Sequence, residues 1–211
     1  MSPIRRLLLV LFALGPIAIL APAAQAGSQG ASASLPPVTA ADRVLGRADA
    51  PVTVIEYASF TCSHCAHWNN EVFPAFKARF IDTGQVRLVY RNLPTNPAQV
   101  AARAAGIARC AVPARFFDVA SSFMTGQQAI IDGAPLADWY AAGVAASGRT
   151  EAQIDACLAD PATLNGIRAE VAGASAAGVQ GTPSFFVNGR AVADTSLAGL
   201  SAAIQPLLPH H

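Results

Sequence analysis

The chain has 211 residues, of which 53% are hydrophobic and 13% charged, and its formal net charge is +1. This balance provides neither a basic patch nor an acidic tail, so we expect no nucleic-acid partner. The length fits one domain, or one domain that carries an insertion.

The first 26 residues have the pattern of a secretory signal peptide. Arg5 and Arg6 precede an apolar run from Leu7 to Leu20, and Ala24-Gln25-Ala26 places small residues where a signal peptidase inspects the chain. The alternative is an uncleaved membrane anchor, but the run is short for a span and contains Gly15-Pro16. Cleavage predicts a mature chain in the periplasm, where disulfides persist.

The first part of the mature chain predicts a strand, a helix and a second strand. Residues 27–40 are small, polar and proline-containing, which indicates a flexible N-terminal segment before an ordered fold from Ala41. Residues 51–60 predict a strand buried on both faces, as in a mostly parallel sheet. The following helix has Thr61 as a candidate cap and Pro74 as a kink. Residues 85–93 complete a βαβ unit.

The second part predicts a helical block and a return to strands. Alanine-rich helices are expected near 97–110, 113–124 and 136–147, with two more between 150 and 177. Residues 183–193 have strand character, and Asn188-Gly189 is a strong hairpin signal. A last helix follows Asp194 as a candidate cap. The predicted order is ββαβ, a helical block, then ββα.

Cys62 and Cys65 stand where the buried strand ends and the helix begins. At a helix start, free N–H groups and the helix dipole favour a negative charge on Cys62. The thiolate is the nucleophile of disulfide exchange, and His64 can carry positive charge or donate a hydrogen bond to the sulfur. We predict that Cys62 is the attacking sulfur and Cys65 the buried resolving one.

The other two cysteines are suited to a structural role. In the chain-entropy model a two-residue spacer stabilises by at most about 2 kcal/mol, whereas the loop from Cys110 to Cys157 would give about 4 kcal/mol. We therefore predict a structural disulfide between Cys110 and Cys157 that joins two helices of the block. The alternative is two free buried thiols.

A metal site or an attached haem fits the sequence poorly. A closed zinc site needs about four ligands, and Cys62, His64, Cys65 and His67 are crowded on one helical turn. Covalent haem attachment requires a histidine directly after the second cysteine, where this chain has Ala66. We expect no metal and no other cofactor, with the redox chemistry carried by the two sulfurs.

The segments VIEYASFTCSHC (54–65) and VQGTPSFFVNG (179–189) resemble the DsbA-like branch of the thioredoxin superfamily, the extracytoplasmic thiol:disulfide oxidoreductases. The resemblance extends from about Ala41 to Leu208. It implies an α/β protein, a thioredoxin fold with an inserted all-helical domain. Residues 41–95 and 179–208 would form the discontinuous thioredoxin-fold domain, and residues 96–178 the helical insertion.

The resemblance also assigns roles to residues near the cysteine pair. It implies that Cys62 is the nucleophile, Cys65 the resolver and Ser63-His64 the dipeptide that tunes them. The best-known members have Pro-His there, so Ser63 is a departure. The superfamily places a buried acid where this chain has Glu56, which would accept or relay the proton of Cys65. The alternative is a strand-end glutamate that reaches solvent.

Gly181, Thr182 and Pro183 form the second motif that the resemblance identifies. Pro183 would be the cis-proline that faces the disulfide. The backbone of Thr182 would then stay open to pair with a substrate chain as an added strand, and Gly181 would belong to the same binding segment. The alternative is an ordinary turn that leads into a strand.

By this resemblance the chain is expected to be a thiol oxidase. It would donate its disulfide to unfolded or reduced secreted proteins, and a membrane quinone-linked partner of the DsbB type would reoxidise it. The alternatives are a disulfide isomerase or reductase of the same superfamily, or a non-catalytic chaperone-like binding module. Isomerases of this group usually carry an N-terminal dimerisation domain, for which residues 27–40 are too short, so we expect a monomer.

Overall fold

The computed structural model describes residues 35–209, and the structural statements below refer to that part of the chain. The signal-peptide prediction for residues 1–26 lies outside the described residues. The strands form one sheet in the order β1-β3-β2-β4-β5. Their bounds are β1 (Arg43–Leu45), β2 (Val52–Ala58), β3 (Val86–Asn92), β4 (Ser184–Val187) and β5 (Arg190–Val192).

The α-helices follow the predicted order along the chain. Two short ones lie between β2 and β3, five make up the helical block, and one comes last. Their bounds are α1 (Ser63–His67), α2 (Phe73–Phe76), α3 (Ala98–Cys110), α4 (Phe116–Ile131), α5 (Leu136–Ala146), α6 (Glu151–Ala159), α7 (Pro161–Ala176) and α8 (Leu197–Ile204). None of the helices in residues 35–209 is both long enough and apolar enough to cross a membrane.

The prediction of a mostly parallel sheet is wrong. Only the β2–β3 pairing is parallel, and β1–β3, β2–β4 and β4–β5 are antiparallel. The apolar run in β2 reports burial of both faces and carries no information on the direction of the neighbouring strands. Both faces are indeed covered, because Val54 packs with Trp68 on one side and Ile55 with Ala174 of α7 on the other.

The helical connection after β2 begins one residue later than predicted. Cys62, and not Thr61, occupies the N-cap position with an extended backbone. The Thr61 hydroxyl instead contacts the hydroxyls of Ser59 and Thr95. A β-branched hydroxyl residue before a helix is a cap candidate in sequence, but the tertiary contact with the segment after β3 determines its actual partner.

Pro74 stands at a change of helix type. The turns at Trp68–Val72 and Lys77–Ile81 are π-helical, and α2 lies between them with Pro74 in its first turn. Proline has no N–H to donate to the preceding turn, so regular α-helical bonding cannot run through it. The predicted kink therefore takes the form of a π-helical interruption just before the proline.

The helical block joins the end of β3 to the start of β4. Helices α3 to α7 confirm the predicted helices, and α4 extends further than expected. The predicted boundaries near 95 and 178 fall in the connections on either side of the block. The block and the sheet pack as one compact unit, so the division into a thioredoxin-fold domain and an insertion remains a proposal based on chain order.

The C-terminal part contains the predicted hairpin. Asn188 and Gly189 connect β4 to β5 and both have positive φ, 45° and 84°, as the tight hairpin turn requires. The prediction that Asp194 caps α8 is wrong. Ser196 is the cap, since its hydroxyl accepts from the N–H of Gly199, while Asp194 accepts from the N–H of Ser196.

The segment before β1 is anchored to the sheet. Arg91 of β3 donates to the carbonyl oxygens of Pro36 and Pro37 and forms a buried salt bridge with Asp42. Leu35 packs against the face of the sheet that α7 also covers. The expectation of a flexible segment up to residue 40 is therefore wrong for its last six residues, because the buried guanidinium needs their carbonyl oxygens as acceptors.

Candidate active site

The strand-to-helix junction places the two cysteines in different environments. Cys62 ends the loop after β2 and is half-buried, while Cys65 lies inside α1 and is fully buried. Both are free thiols in the structure, which therefore corresponds to the reduced form. Beneath them the ring of Phe60 stacks on Tyr90, with centroids 5.5 Å apart, and packs against Phe123.

Hydrogen bonds stabilise the thiolate of Cys62 and lower its pKa to about 5. The largest cause is the hydrogen bond from the Cys65 thiol. Burial opposes the shift, and the Thr182 side chain and the backbone N–H groups of Cys65 and His64 add to it. The sulfur of Cys62 is half-exposed and accepts these hydrogen bonds, and such an environment is typical of a reactive cysteine.

The second thiol is held in the protonated form. Burial raises the pKa of Cys65, and the neighbouring Cys62 and Glu56 raise it further. An apolar surrounding disfavours the charged form of a thiol, and nearby negative charges add to the effect. The pair therefore combines a ready nucleophile with a thiol that must lose its proton before it can react.

His64 is exposed in the first turn of α1. Its backbone N–H contributes to the low pKa of Cys62. Within residues 35–209 its imidazole makes no hydrogen bond to either sulfur. Any effect of the ring on Cys62 therefore acts through charge across solvent, which screens it.

Glu56 is buried in the middle of β2, with 4% of its surface exposed. Burial raises the pKa of its carboxyl to about 8. The alternative of a glutamate that reaches solvent is wrong, because β2 lies between β3 and β4 and its side chains are covered on both faces. The carboxyl acts electrostatically on Cys65 beneath α1.

The peptide bond between Thr182 and Pro183 is cis, and the carbonyl oxygen of Thr182 lies beside the sulfur of Cys62. The protonated Cys62 thiol donates to the carbonyl oxygen of Thr182 over 3.2 Å. Gly181 is exposed, and a Cβ added to it would meet nothing within 4 Å. The segment before β4 thus lies next to Cys62 with room for another chain.

Cys110 and Cys157 lie away from this site and are bonded to each other. The disulfide joins the last residue of α3 to α6, with a sequence separation of 47. Thr163 of α7 lies beside it, and its hydroxyl donates to the carbonyl oxygen of Cys157. This arrangement suits a structural crosslink of the helical block.

A glutamine that contacts the cysteine loop was not expected from the sequence. Gln127 of α4 is 3% exposed, and its Nε2 donates to the carbonyl oxygens of Phe60, over 2.7 Å, and Cys62, over 3.2 Å. The signal that could have identified it is helical spacing, since Phe116, Val119 or Ala120, and Phe123 lie on the same buried face.

Glu170 of α7 was also not expected from the sequence. It is nearly buried and accepts from the backbone N–H and the side chain of Asn92, at the end of β3, and from Arg109 of α3 over 2.6 Å. Its position three residues after the buried Ile167 places it on the inner face of its helix. The carboxylate thereby links the helical block to the sheet.

Comparisons with known proteins identify the family. The family model described as Thioredoxin matches residues 39–206. A Rickettsia bellii protein, provisionally named a protein-disulfide oxidoreductase, is 31% identical over 168 residues, which cover 77% of this chain and 63% of that protein. The chain thus spans less than two thirds of this relative's length.

Two solved structures share the fold. Wolbachia pipientis α-DsbA1 has a TM-score of 0.70 at 23% identity and covers 81% of this chain and 92% of its own. Oxidised BdbD from Bacillus subtilis has a TM-score of 0.69 at 20% identity, with coverages of 82% and 96%. Since the family model spans most of the chain and the architecture agrees with these structures, the protein belongs to the thioredoxin family and has the DsbA form of its fold.

Proposed function

We propose that this protein is a periplasmic thiol:disulfide oxidoreductase that donates its Cys62–Cys65 disulfide to newly secreted proteins. The contrast between the two thiols is the observation that supports it most. Cys62 is reachable and has a pKa of about 5, whereas Cys65 is buried with a raised pKa. Donors that stabilise the Cys62 thiolate stabilise the reduced protein, and they therefore make its disulfide a stronger oxidant.

The reaction moves two electrons from a substrate dithiol to the protein. A substrate thiolate attacks Cys62 Sγ, the Cys62–Cys65 bond breaks, and Cys65 leaves as a thiolate that takes up a proton. The second substrate thiolate then attacks the substrate sulfur of the mixed disulfide. Cys62 leaves as its stabilised thiolate, and the products are an oxidised substrate and the reduced protein.

Glu56 would supply and recover the proton of Cys65. Its carboxyl has a pKa of about 8, so it is mostly protonated at neutral pH and can donate to the leaving Cys65 thiolate. In reoxidation the carboxylate accepts the same proton as Cys65 attacks Cys62. If Glu56→Gln left the exchange rate unchanged across pH, this proton role would be wrong.

Gly181, Thr182 and Pro183 would bind the substrate backbone. An extended substrate chain can pair with the backbone of Thr182 as an added strand. This would bring the substrate close to Cys62, because the carbonyl oxygen of Thr182 lies 3.2 Å from Cys62 Sγ. An apolar groove of about 260 Å³ lies beside Thr61, and the exposed Ile131 and Leu136 line it. Apolar segments of unfolded secreted proteins would suit this surface.

Reoxidation would require an external electron acceptor. We propose a membrane quinone-linked partner of the DsbB type, whose disulfide the Cys62 thiolate would attack to form a second mixed disulfide. Cys65 then attacks Cys62 and restores the protein disulfide. We further propose that the protein works as a monomer, which sedimentation of the mature chain can test.

The reduction potential of Cys62–Cys65 is the decisive measurement, made on the mature protein with Cys110–Cys157 intact. An oxidase should have a potential near about −120 mV, as strong thiol oxidants do. A value near about −270 mV would contradict the oxidase proposal and favour a reductase or isomerase. The non-catalytic alternative predicts that Cys62→Ser keeps full activity on substrate proteins, whereas the oxidase proposal predicts its loss.

A further inference from the structure

Two buried polar side chains lie side by side on the sheet beneath α1. Glu56 of β2 and Tyr90 of β3 are direct partners in the parallel pairing, so their side chains leave the same face. Both are at least 95% buried. Within residues 35–209 the Tyr90 hydroxyl has no hydrogen-bond partner, which is rare for a buried polar group.

A small cavity connects the two side chains. Glu56 and Tyr90 line it together with Trp68, Asn69 and Phe73, and its volume is about 20 Å³. A buried water needs roughly 10–15 Å³ of such space and two or more polar partners. The cavity has that space, and the polar residues of its otherwise apolar lining are Glu56, Tyr90 and half-exposed Asn69.

The Tyr90 ring is fixed in this orientation. It stacks on Phe60 at a centroid distance of 5.5 Å and an interplanar angle of 12°. Phe116 packs edge-on against it at 5.4 Å. These two aromatic contacts restrict the orientation of the Tyr90 ring, which lines the cavity.

We propose that Tyr90 is a positioning residue for proton transfer at Cys65, whose hydroxyl donates through one water in this cavity to the Glu56 carboxylate. The inference rests on the proposed proton role of Glu56. In the step concerned, the Cys65 proton moves to Glu56 while Cys65 Sγ bonds to Cys62 Sγ and the partner sulfur leaves as a thiolate. Tyr90 keeps its own proton throughout.

The surrounding charges keep Tyr90 a hydrogen-bond donor. Burial is the largest cause that raises the pKa of its hydroxyl, and the acidic groups Glu56 on β2, Cys65 on α1, Glu170 on α7 and Cys62 at the N-cap of α1 raise it further. The hydroxyl is therefore protonated wherever Glu56 titrates. A donor beside a buried carboxylate favours the charged form of the acid, so Tyr90 should hold the pKa of Glu56 lower than burial alone would.

Tyr90→Phe tests the inference, because it removes the hydroxyl and keeps the stacked ring. The pKa of Glu56 is measured by NMR of the labelled carboxyl carbon in the reduced protein, and the rate of Cys65 attack is followed against pH. We expect both the Glu56 pKa and the midpoint of the rate profile to rise by about one pH unit. The control, Tyr140→Phe in the helical block, should change neither.

The outcomes separate this inference from the function on which it rests. An unchanged Glu56 pKa in Tyr90→Phe overturns the role of Tyr90, whatever the activity shows. A Glu56→Gln variant that keeps the rate profile of the parent at every pH overturns the proton role of Glu56 instead. In the double variant the Tyr90 change should add nothing to the rate profile, since Tyr90 acts through Glu56, and an additive effect would contradict the inference.

Discussion

At the scale of single residues, the two site cysteines show how position alone separates identical side chains. They lie within one helical turn, yet hydrogen bonds lower the pKa of Cys62 and burial raises that of Cys65. The sequence indicated the attacking residue, because Cys62 comes first at the helix start. The pKa of Cys62 is lowered most by the Cys65 thiol and also by the Thr182 side chain, which is 120 residues away along the chain.

The Cys65 thiol is the largest cause of the low pKa of Cys62, so removing it should raise that pKa. We expect Cys65→Ala to move the pKa of Cys62 well above the value of about 5 found in the parent protein. Cys65→Ser keeps a hydroxyl donor and should stay closer to the parent. The rate of alkylation of Cys62 against pH reports the pKa, and equal values in all three proteins would contradict this attribution.

Glu56 should make the reduced protein less stable as the pH rises. The pKa of its carboxyl is about 8 in the folded state and has its ordinary value of 4.5 in the unfolded chain, so only the unfolded chain ionises between these values. The effect of Glu56 on the free energy of unfolding is therefore constant below pH 4.5. Between pH 4.5 and about 8 it lowers the free energy of unfolding progressively, and above that it is constant again.

The Glu56→Gln variant should escape this loss. Relative to the parent, its free energy of unfolding should be unchanged near pH 4 and higher by up to about 3 kcal/mol at pH 7. Urea unfolding of both reduced proteins at several pH values measures the difference. A difference that does not vary with pH would show that Glu56 ionises in the folded protein as it does in water.

At the scale of elements, the sequence patterns predicted correctly those features that depend on interactions between neighbouring residues. The Asn188-Gly189 turn and the block helices follow from neighbouring residues, so the sequence was sufficient for them. The direction of the strands and the partner of Thr61 depend on what packs nearby. Those expectations failed for that reason.

Gln127 joins α4 to the loop that carries Cys62, and its loss should be costly. Gln127→Leu leaves the buried carbonyl oxygens of Phe60 and Cys62 without this donor, which should lower the free energy of unfolding by about 1–3 kcal/mol. It should also change the reduction potential of Cys62–Cys65, because the loop that carries Cys62 to the start of α1 loses these two hydrogen bonds.

The matched control for this change is the next residue along the chain. Gln128 is exposed, and among residues 35–209 its side chain bonds only to Asp132, the C-cap of the same helix, so Gln128→Leu should change neither stability nor potential appreciably. Urea unfolding and equilibration with a glutathione buffer measure the two quantities. Equal effects of the two substitutions would mean that the contact of Gln127 with the loop has no special importance.

At the scale of the whole molecule, the helical block is held by the Cys110–Cys157 disulfide and by the contacts of Glu170 with the sheet. The disulfide closes a loop with a separation of 47 residues, for which the chain-entropy model gives about 4 kcal/mol. Replacing both cysteines by alanine should lower the free energy of unfolding by roughly 2–4 kcal/mol.

The same double variant should keep the reduction potential of Cys62–Cys65. The crosslink lies at the end of α3 and on α6, outside the contacts that set the pKa of Cys62. Denaturant unfolding and glutathione equilibration of the parent and the variant check both halves of the prediction. A shifted potential would show that the block transmits strain to the active site.

The order of elements, the cysteine pair with its buried acid, and the motif before β4 could all be predicted from the amino-acid sequence. The order of elements depends on residues close in the chain, whose periodicity and turn chemistry can be interpreted directly, whereas the buried acid and the motif before β4 were expected from the resemblance to the DsbA-like branch. The folded structure was needed to show that the sheet is mixed, that Tyr90 faces Glu56, and that Gln127 contacts the cysteine loop. These contacts join residues far apart in the chain, and they are selected by packing and by the need to pair buried polar groups, which no local pattern encodes.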